Sequence, residues 1–303
     1  MATPAELLSS SRPGPLPVGG EALVTEGLWS KQRIISLLLY WGIHAACLLA
    51  FATGVSGLDI ALCLGAYYLR LLGITGGYHR YFAHRSFKTG RVFQFVLAWI
   101  GCMSVQKGPL WWAAGHRRHH KFSDAPGDLH SPRDGFWWSH QGWIFDGRWD
   151  ATEHQRIQDF TRFPELLWLN RWHVLPPTLL GAACFAIGGW SGLVWGFAIS
   201  TTLLWHSTYS INSLAHRWGS QRYQTGDDSR NNLFLALLTL GEGWHNNHHH
   251  YMASARNGFF WWEIDITYYV LLVLERLGLV WDLRRPSARV LRGEPAPALQ
   301  ELA

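Results

Sequence analysis

The sequence predicts an all-α integral membrane protein with four transmembrane helices, arranged as two hairpins and capped by a helical domain. Hydrophobic residues make up 48% of the 303 residues and charged residues only 16%, whereas soluble domains carry roughly 25% charged residues. Four apolar stretches occur as two pairs, each joined by a short turn, as expected for helices that cross a membrane and return. The low charge also excludes an intrinsically disordered chain.

The first pair of spans follows residues 1–30, a Pro- and Gly-rich segment that we expect to be a flexible tail. Spans are predicted at residues 34–56 and 60–78, on either side of a turn at residues 57–59. The first is long enough to cross a hydrocarbon core of roughly 30 Å. Arg70 interrupts the second span, and we interpret it as a snorkelling or cavity-facing arginine.

The second pair of spans is predicted at residues 174–189 and 193–211. Between the pairs, residues 79–173 hold 13 Lys and Arg against 8 Asp and Glu. The positive-inside rule then places this segment and both termini in the cytoplasm. Together with residues 212–285 it forms the predicted helical cap, and residues 286–303 are expected to be a tail.

Two further apolar stretches, residues 92–112 and 259–281, contain polar and charged side chains. We interpret both as helices at the membrane interface or against the cap, although a third hairpin is an alternative for the first. The formal net charge of +5 includes no dense Lys/Arg run. This favours a membrane surface as partner and excludes nucleic acid.

Three short motifs concentrate eight of the sixteen histidines. Two motifs have the spacing H-x-x-H-H, which places three imidazoles on one face of a helix. The other has the spacing i, i+5, which does not share an α-helical face, so we expect that helix to end near its first histidine. The motifs are His79-Arg-Tyr-Phe-Ala-His84, His116-Arg-Arg-His119-His120 and His245-Asn-Asn-His248-His249.

Eight imidazoles exceed the coordination number of one metal ion, so the motifs imply two metals. Neutral imidazole binds iron, zinc, copper and nickel. A hydrolytic zinc site usually needs three protein ligands and a water, and the sequence contains no Glu-x-x-His motif of the soluble di-iron bundles. An all-histidine pair of metals beside membrane helices indicates oxygen chemistry on a lipid.

The motifs, their order and their spacing resemble those of the membrane fatty acyl-CoA desaturases of the stearoyl-CoA, or delta-9, type, over residues 30–285. The stretch Asn212-Ser-Leu-Ala-His216-Arg217 also matches. The resemblance implies His216 as a ninth ligand, Asn212 as the holder of a metal-bound water, and two iron ions, with zinc possible in purified protein. It assigns His79, His84, His120 and His249 to one iron, and His116, His119, His216, His245 and His248 to the other.

The resemblance implies an O₂-dependent desaturase that introduces a cis double bond into a saturated acyl chain, at the delta-9 position of an acyl-CoA. No haem, flavin or NAD motif is visible, so we expect an external electron donor, a ferredoxin or cytochrome b5 with its reductase. Substrate-binding positions are implied at Gln106, Trp112 and Thr208, where the chain bends, and at Tyr67 and Leu71, where the tunnel ends. Ordinary helix packing is the alternative for these five.

One departure concerns the acyl carrier. Ala114 and Gly115 stand where animal members carry a charged pair near the thioester, so CoA, acyl carrier protein and phospholipid all stay open. Six basic residues either bind a phosphorylated headgroup or face the membrane surface: Arg80, Arg85, Lys88, Arg117, Arg118 and Arg133. The competing functions are a related di-iron hydroxylase and a metal transporter or sensor, although transporters usually place ligands inside their spans.

Overall fold

The structure, a computed structural model, describes residues 31–294. The predicted tail at residues 1–30 lies outside the described residues, as do residues 295–303. The described chain is mostly helical, with one two-stranded sheet. The helical part of the predicted fold class is therefore confirmed.

Helix α1 consists of three consecutive segments: the α-helix Lys31–Ala46, the 3₁₀ turn Cys47–Leu49 and the α-helix Ala50–Thr53. It ends because Gly54 adopts φ +71°, a conformation that suits glycine. The helix is apolar over Ile34–Thr53 and is long enough to cross a membrane.

Helix α2 comprises Gly57–Leu72 and continues without a break as a π-helix over Gly73–Ala83. Ser56 and Asp59 form a capping box at its start, where the backbone N–H of each is accepted by the side chain of the other. This cap places the turn between the first two helices about three residues earlier than the sequence predicted.

Arg70 of α2 is fully buried. Its guanidinium donates to Ser200 Oγ at 2.6 Å and to Thr201 Oγ1 at 2.7 Å. The side chain therefore links α2 to the later helix that carries both hydroxyls. Of the two alternatives, a snorkelling or a cavity-facing arginine, its burial contradicts the first.

Short elements fill the region between the two apolar pairs. The predicted helix at residues 92–112 is interrupted after Cys102 and restarts at Pro109, since proline is favoured at a first helical position. The elements are β1 (Lys88–Thr89), α3 (Arg91–Cys102), α4 (Pro109–Phe122), α5 (Phe136–His140), α6 (Gln158–Thr161) and α7 (Pro164–Arg171), with 3₁₀ turns at Pro132–Asp134, Gly142–Phe145, Gly147–Trp149 and His154–Arg156.

The second apolar pair is one kinked helical run, Leu175–His216. It contains α8 (Leu175–Leu193), the π-helical Val194–Ile199, α9 (Ser200–Ser213) and the 3₁₀ turn Leu214–His216. By length and composition this is the third helix that could cross a membrane, after Ile34–Thr53 and Gly57–Ala83.

The kink lies at Gly189, where φ is +61° and ψ is −149°. A Cβ atom built on Gly192 would lie 2.5 Å from the carbonyl oxygen of Cys184, and one built on Gly196 would lie 2.8 Å from Cys184 Sγ. The chain after Gly189 therefore packs back against the chain before it, as in the predicted hairpin.

The remaining elements follow α9 in the chain. The predicted helix at residues 259–281 is helical only within α12, and β1 pairs antiparallel with β2, Lys88 opposite Trp281. These elements are α10 (Leu233–Leu238), α11 (His245–His250), α12 (Ile266–Arg276), β2 (Val280–Trp281) and α13 (Ala288–Leu291).

The largest hydrophobic core surrounds the π-helical segment of α2 and includes Tyr78 and Phe82. Helix α3 approaches this segment closely, because a Cβ on Gly73 would lie 2.7 Å from the backbone of Gly101 and Ile100. The core thus holds fixed the segment that carries the first histidine motif.

Candidate metal centre

His79 and His84 share a face because the segment that carries them is π-helical. The backbone N–H of His84 donates to the carbonyl oxygen of His79 at 3.1 Å, an i→i+5 bond, and the two ring centroids lie 4.8 Å apart. A π-helix brings residues i and i+5 together. The expectation that the helix ends near His79 is therefore wrong.

The other histidines come from three short stretches. Helix α4 carries His116, His119 and His120 near its C-terminus, α11 carries His245, His248 and His249, and His216 ends the turn after α9. The structure brings these seven and the first two together in two groups, within each of which the potential ligand atoms all lie within 4.8 Å of one another.

The first group contains five imidazoles whose Nε2 atoms face one another. Consecutive Nε2 atoms lie 2.9–3.0 Å apart around the sequence His84, His116, His120, His248, His79. The second group contains four imidazoles, with Nε2 of His216 and Nε2 of His245 3.1 Å apart. Its members are His119, His216, His245 and His249.

This division differs from the one that the resemblance implies. His116 and His248 lie in the first group and His249 lies in the second. In the structure, the two histidines four residues apart in each helix share a group, His116 with His120 and His245 with His249. Residues four apart lie on one face of a helix.

Four carboxylates orient the imidazoles from behind. Where Nδ1–H donates to a carboxylate, Nε2 keeps its lone pair for a metal, which is the usual arrangement behind metal-bound histidines. The pairs are His79–Glu242 at 2.7 Å, His119–Asp128 at 2.9 Å, His216–Asp124 at 2.8 Å and His249–Asp227 at 2.6 Å.

The sequence analysis missed these four acids. Glu242 lies three residues before His245, and Asp124 and Asp128 follow His120 closely, so proximity was an available signal for three of them. Asp227 lies 22 residues before its partner His249, in an irregular segment, and nothing in the sequence indicates it.

A buried nitrogen atom without a hydrogen-bond partner indicates that the second group can hold a metal ion. His249 Nε2 is buried without a hydrogen-bond partner, while its Nδ1 contacts Asp227. A buried polar atom without a partner is destabilising, and a metal ion in the second group would satisfy it. The donor set, imidazole nitrogen throughout, fits iron and zinc.

Burial lowers the pKa of most of these histidines. It holds the pKa of His84, His116 and His120 well below the usual value, with neighbouring imidazoles acting in the same direction, and the pKa of His249 falls to about 4. A neutral ring keeps the lone pair that a metal requires. His119 differs, because Asp128 outweighs the effect of burial and raises its pKa.

Two cavities reach the histidine groups. The larger, of about 260 Å³, includes Gln106, Trp112, His116, Thr208 and Asn212 in its lining. The smaller, of about 60 Å³, shares Trp112, His116, Thr208 and Asn212 with the larger and also contacts His79, His119, His245 and Leu71. Asn212, the predicted holder of a metal-bound water, thus lies on the cavity side of the histidines.

Three of the predicted substrate residues contact one another. Gln106 Nε2 donates to Thr208 Oγ1 at 2.9 Å, and Trp112 Nε1 donates to Gln106 Oε1 at 3.2 Å. Positive φ values at Val105 and Lys107 flank Gln106, and such strain in non-glycine residues is typical of functional segments.

Of the two residues predicted to lie at the end of the tunnel, one lines a cavity and the other does not. Leu71 lines the smaller cavity. Tyr67 lines neither of the described cavities, and its hydroxyl donates to the carbonyl oxygen of Leu238 at 2.8 Å.

The six basic residues considered for a phosphorylated headgroup all contact carboxylates. Arg80 is 1% exposed, and its guanidinium lies 3.0 Å from the carboxylates of both Glu242 and Asp265. It therefore helps to hold Glu242 behind His79, and it is too buried to contact a phosphorylated headgroup. The other pairs are Arg85–Asp159, Arg117–Asp159, Arg118–Glu153, Arg133–Asp228 and Lys88–Asp282, at 2.8–3.0 Å.

Apolar helices of spanning length that carry a buried all-histidine cluster define the class of membrane proteins with histidine-motif metal centres. Within that class the chain belongs to the fatty acid desaturase family, whose model, described as "Fatty acid desaturase", matches residues 56–272. Members of this family are oxidoreductases, so the chain is an enzyme of lipid metabolism.

Three relatives illustrate the range. An acyl-CoA 5-desaturase of Anemone leveillei is 39% identical over 264 residues, covering 86% of this chain and 82% of the relative. Delta-9 acyl-lipid desaturase 1 of Arabidopsis thaliana is 39% identical, covering 86% and 87%. The sn-2 palmitoyl-lipid 9-desaturase of Nostoc is 36% identical, covering 82% and 89%.

Proposed function

We propose that the protein is a di-iron desaturase that forms a cis double bond at the delta-9 position of a saturated fatty acyl chain. The reaction converts –CH₂–CH₂–, O₂, two electrons and two protons into –CH=CH– and two waters. The observation that supports it is the contact between the cavities and both histidine groups, through His116 and, in the smaller cavity, His119 and His245.

The nine histidines are the proposed metal ligands, five for one ion and four for the other. Iron in these groups supplies the O₂-dependent oxidation, and zinc can replace it in purified protein because imidazole accepts both. Asn212 lies where it can hold a water beside the metals. The four carboxylates accept hydrogen bonds from Nδ1 of their histidines and so direct Nε2 toward the metals.

We propose that the two cavities position the acyl chain relative to the metals. A methylene carbon offers no hydrogen-bonding group, so its place must be set by the shape of an apolar cavity. We assign the bend of the acyl chain to Gln106, Trp112 and Thr208, whose mutual hydrogen bonds fix the wall next to His116. Leu71 lines the smaller cavity and is proposed to limit chain length.

We propose four membrane spans, with α1, α2 and the two arms of the Gly189 hairpin, under a cytoplasmic cap that holds the metals. The reversal at Gly189 and the charge excess of residues 79–173 support this topology. A ferredoxin, or cytochrome b5 with its reductase, then delivers electrons from the cytoplasmic side.

Reconstitution tests the proposal. Iron-loaded protein in liposomes that contain stearoyl-CoA and stearoyl phospholipid, supplied with O₂ and ferredoxin and its reductase, should yield the cis-9 monoene, identified by gas chromatography and mass spectrometry. His120→Ala should abolish the product and lower bound iron. His154→Ala should do neither, because His154 is exposed and lies outside both groups.

Three outcomes would contradict the proposal. A hydroxylated acyl chain would identify the related hydroxylase function. Retention of the monoene in His120→Ala, or absence of O₂-dependent turnover in an iron-loaded sample, would remove the desaturase assignment.

A further inference from the structure

We propose that the acyl chain enters the larger cavity sideways from the bilayer, beside α1, while it is still esterified to a membrane lipid. This inference rests on the proposed function and names the carrier of its substrate. The position of the cavity, the exposure of its rim and the charges of its lining support it.

Helix α1 forms one wall of the larger cavity. Ser36, Leu39, Tyr40 and Ile43 line it, with the spacing i, i+3, i+4 and i+7 of a single helical face. The first turn of α8 and the residues before it line the facing edge, through His173, Val174 and Pro177. Residues of two apolar helices of the proposed membrane region therefore contribute to its lining, together with residues of the proposed cap such as Trp111 and Trp143.

The rim of this cavity is open to the outside of the protein at apolar positions. Leu39 is 62% exposed and Val174 is 54% exposed, although both line the cavity. Exposed apolar side chains on a helix of spanning length face lipid. An acyl chain can thus pass from the bilayer to the cavity without crossing a polar surface.

The contacts of α1 with the rest of the protein are few. In its apolar window 6% of the residues are buried, compared with 44% in Gly57–Ala83. Its buried contacts concentrate at Tyr40, whose ring stacks on Trp205 and whose hydroxyl donates to Gln141 at 2.8 Å, and at His44, whose Nε2 lies 3.1 Å from Nε2 of His206. Such a wall can shift to admit a chain.

The charges of the cavity disfavour CoA as the carrier. Its phosphates require arginine and lysine donors. Among the described residues that line the cavity, Lys107 is the only lysine or arginine, and its Nζ already contacts Asp150 at 2.6 Å. None of the six other candidate cations lines this cavity, and each of them contacts a carboxylate.

A binding experiment on metal-free protein tests the entry route. The purified chain, delipidated in detergent, is mixed with stearoyl-phosphatidylglycerol or stearoyl-CoA, and the retained ligand is measured by native mass spectrometry. We expect retention of the phospholipid, loss of most of that retention in Leu39→Trp, and little change in Leu38→Trp. Leu38 is 68% exposed on the same helix but does not line the cavity.

Equal retention in the Leu39 and Leu38 variants, or binding of stearoyl-CoA alone, would overturn the inference. The activity assay supplies the second test, with deuterated stearate placed either in phospholipid or in CoA and no acyltransferase present. Deuterated monoene in phospholipid supports lipid entry, and deuterated monoenoyl-CoA alone refutes it while leaving the desaturase function intact. No product from either carrier contradicts the proposed function itself.

Discussion

At the scale of single residues, the candidate metal centre includes carboxylates that lie behind the potential metal ligands. His79, His119, His216 and His249 each have Nδ1 within 2.6–2.9 Å of a carboxylate oxygen. This contact fixes both the tautomer and the orientation of the ring, and loss of such partners typically weakens metal binding by about 10–100-fold.

The acids can be tested at Asp227, whose Oδ2 contacts His249 Nδ1. Asp227→Asn should lower iron affinity roughly 10–100-fold, measured by competition with a chelator and metal analysis. Asp228→Asn is the matched control, because Asp228 contacts Arg133 at the surface and not a histidine. Equal affinities in the two variants would show that the carboxylate does not support the site.

The nine histidines could be predicted from the sequence, since two motifs repeat a helical spacing and the others match a family pattern. Their division between two metals could not, because it depends on which way neighbouring residues of α4 and α11 point once these helices pack. The sequence analysis did not identify His130 as a neighbour of the histidine groups, because His130 belongs to no motif. Its ring lies 4.4 Å from that of His119.

At the scale of elements, the π-helical segment Gly73–Ala83 determines the geometry of the first motif. Sequence periodicity did not reveal it, because π-helical hydrogen bonding has no strong residue preference and arises here within close packing against α3. The same close packing makes the segment sensitive to small changes in volume.

Gly73→Ala should therefore lower the melting temperature and the metal content together. The added Cβ would lie 2.7 Å from backbone atoms of α3, which cannot move aside as a flexible side chain could. Gly65→Ala, on the same helix, meets nothing within 4 Å and should change neither. Differential scanning fluorimetry and metal analysis of the two proteins make the comparison.

A chain of histidines outside the metal centre joins α1, α5 and α9. His206 contacts His44 through Nε2 at 3.1 Å and His140 through Nδ1 at 2.9 Å, and His140 Nδ1 lies 3.0 Å from Ser213 Oγ. The sequence analysis gave these residues no role. Hydrogen bonds between polar side chains are a common means of joining apolar helices.

This chain should make stability depend on pH. Burial and His206 lower the pKa of His140 to about 4, whereas an unfolded histidine titrates near 6.5. The unfolded chain therefore takes up a proton that the folded chain does not, and stability falls as the pH drops from 6.5 toward 4.

Between pH 7 and pH 5, His140 should remove about 2 kcal/mol from the free energy of unfolding. Denaturation of metal-free protein in mixed micelles measures this loss, and His140→Gln should reduce it by that amount. His154→Gln, at an exposed position, should leave the pH dependence unchanged. A wild-type pH dependence in His140→Gln would refute the assignment.

At the scale of the whole molecule, the hairpin at Gly189 and the long first two helices agree with the sequence prediction. The apolar helices could be predicted from the sequence, because a helix that crosses a bilayer needs about 20 consecutive apolar residues. The breaks within residues 92–112 and 259–281 were missed, although Pro109 and the N-cap Asp265 mark the points where α4 and α12 begin.

The proposed topology places the Gly189 turn and the C-terminus on opposite sides of the membrane, which two fusions test. Alkaline phosphatase fused after Gly189 should be active, because that turn would face away from the cytoplasm. Green fluorescent protein fused after residue 303 should fluoresce, since the C-terminus is proposed to be cytoplasmic. Inactive phosphatase at the turn would rule out the second hairpin as a pair of spans.

The carboxylates behind the histidines also determine the electrostatic balance of the buried centre. Nine neutral imidazoles offset none of the four positive charges that two divalent ions bring into a low-dielectric interior. Asp124, Asp128 and Asp227 supply three negative charges, and Glu242 with Asp265 and Arg80 supplies one more. With two M²⁺ ions bound, the sum would be electroneutral for ferrous iron and zinc alike.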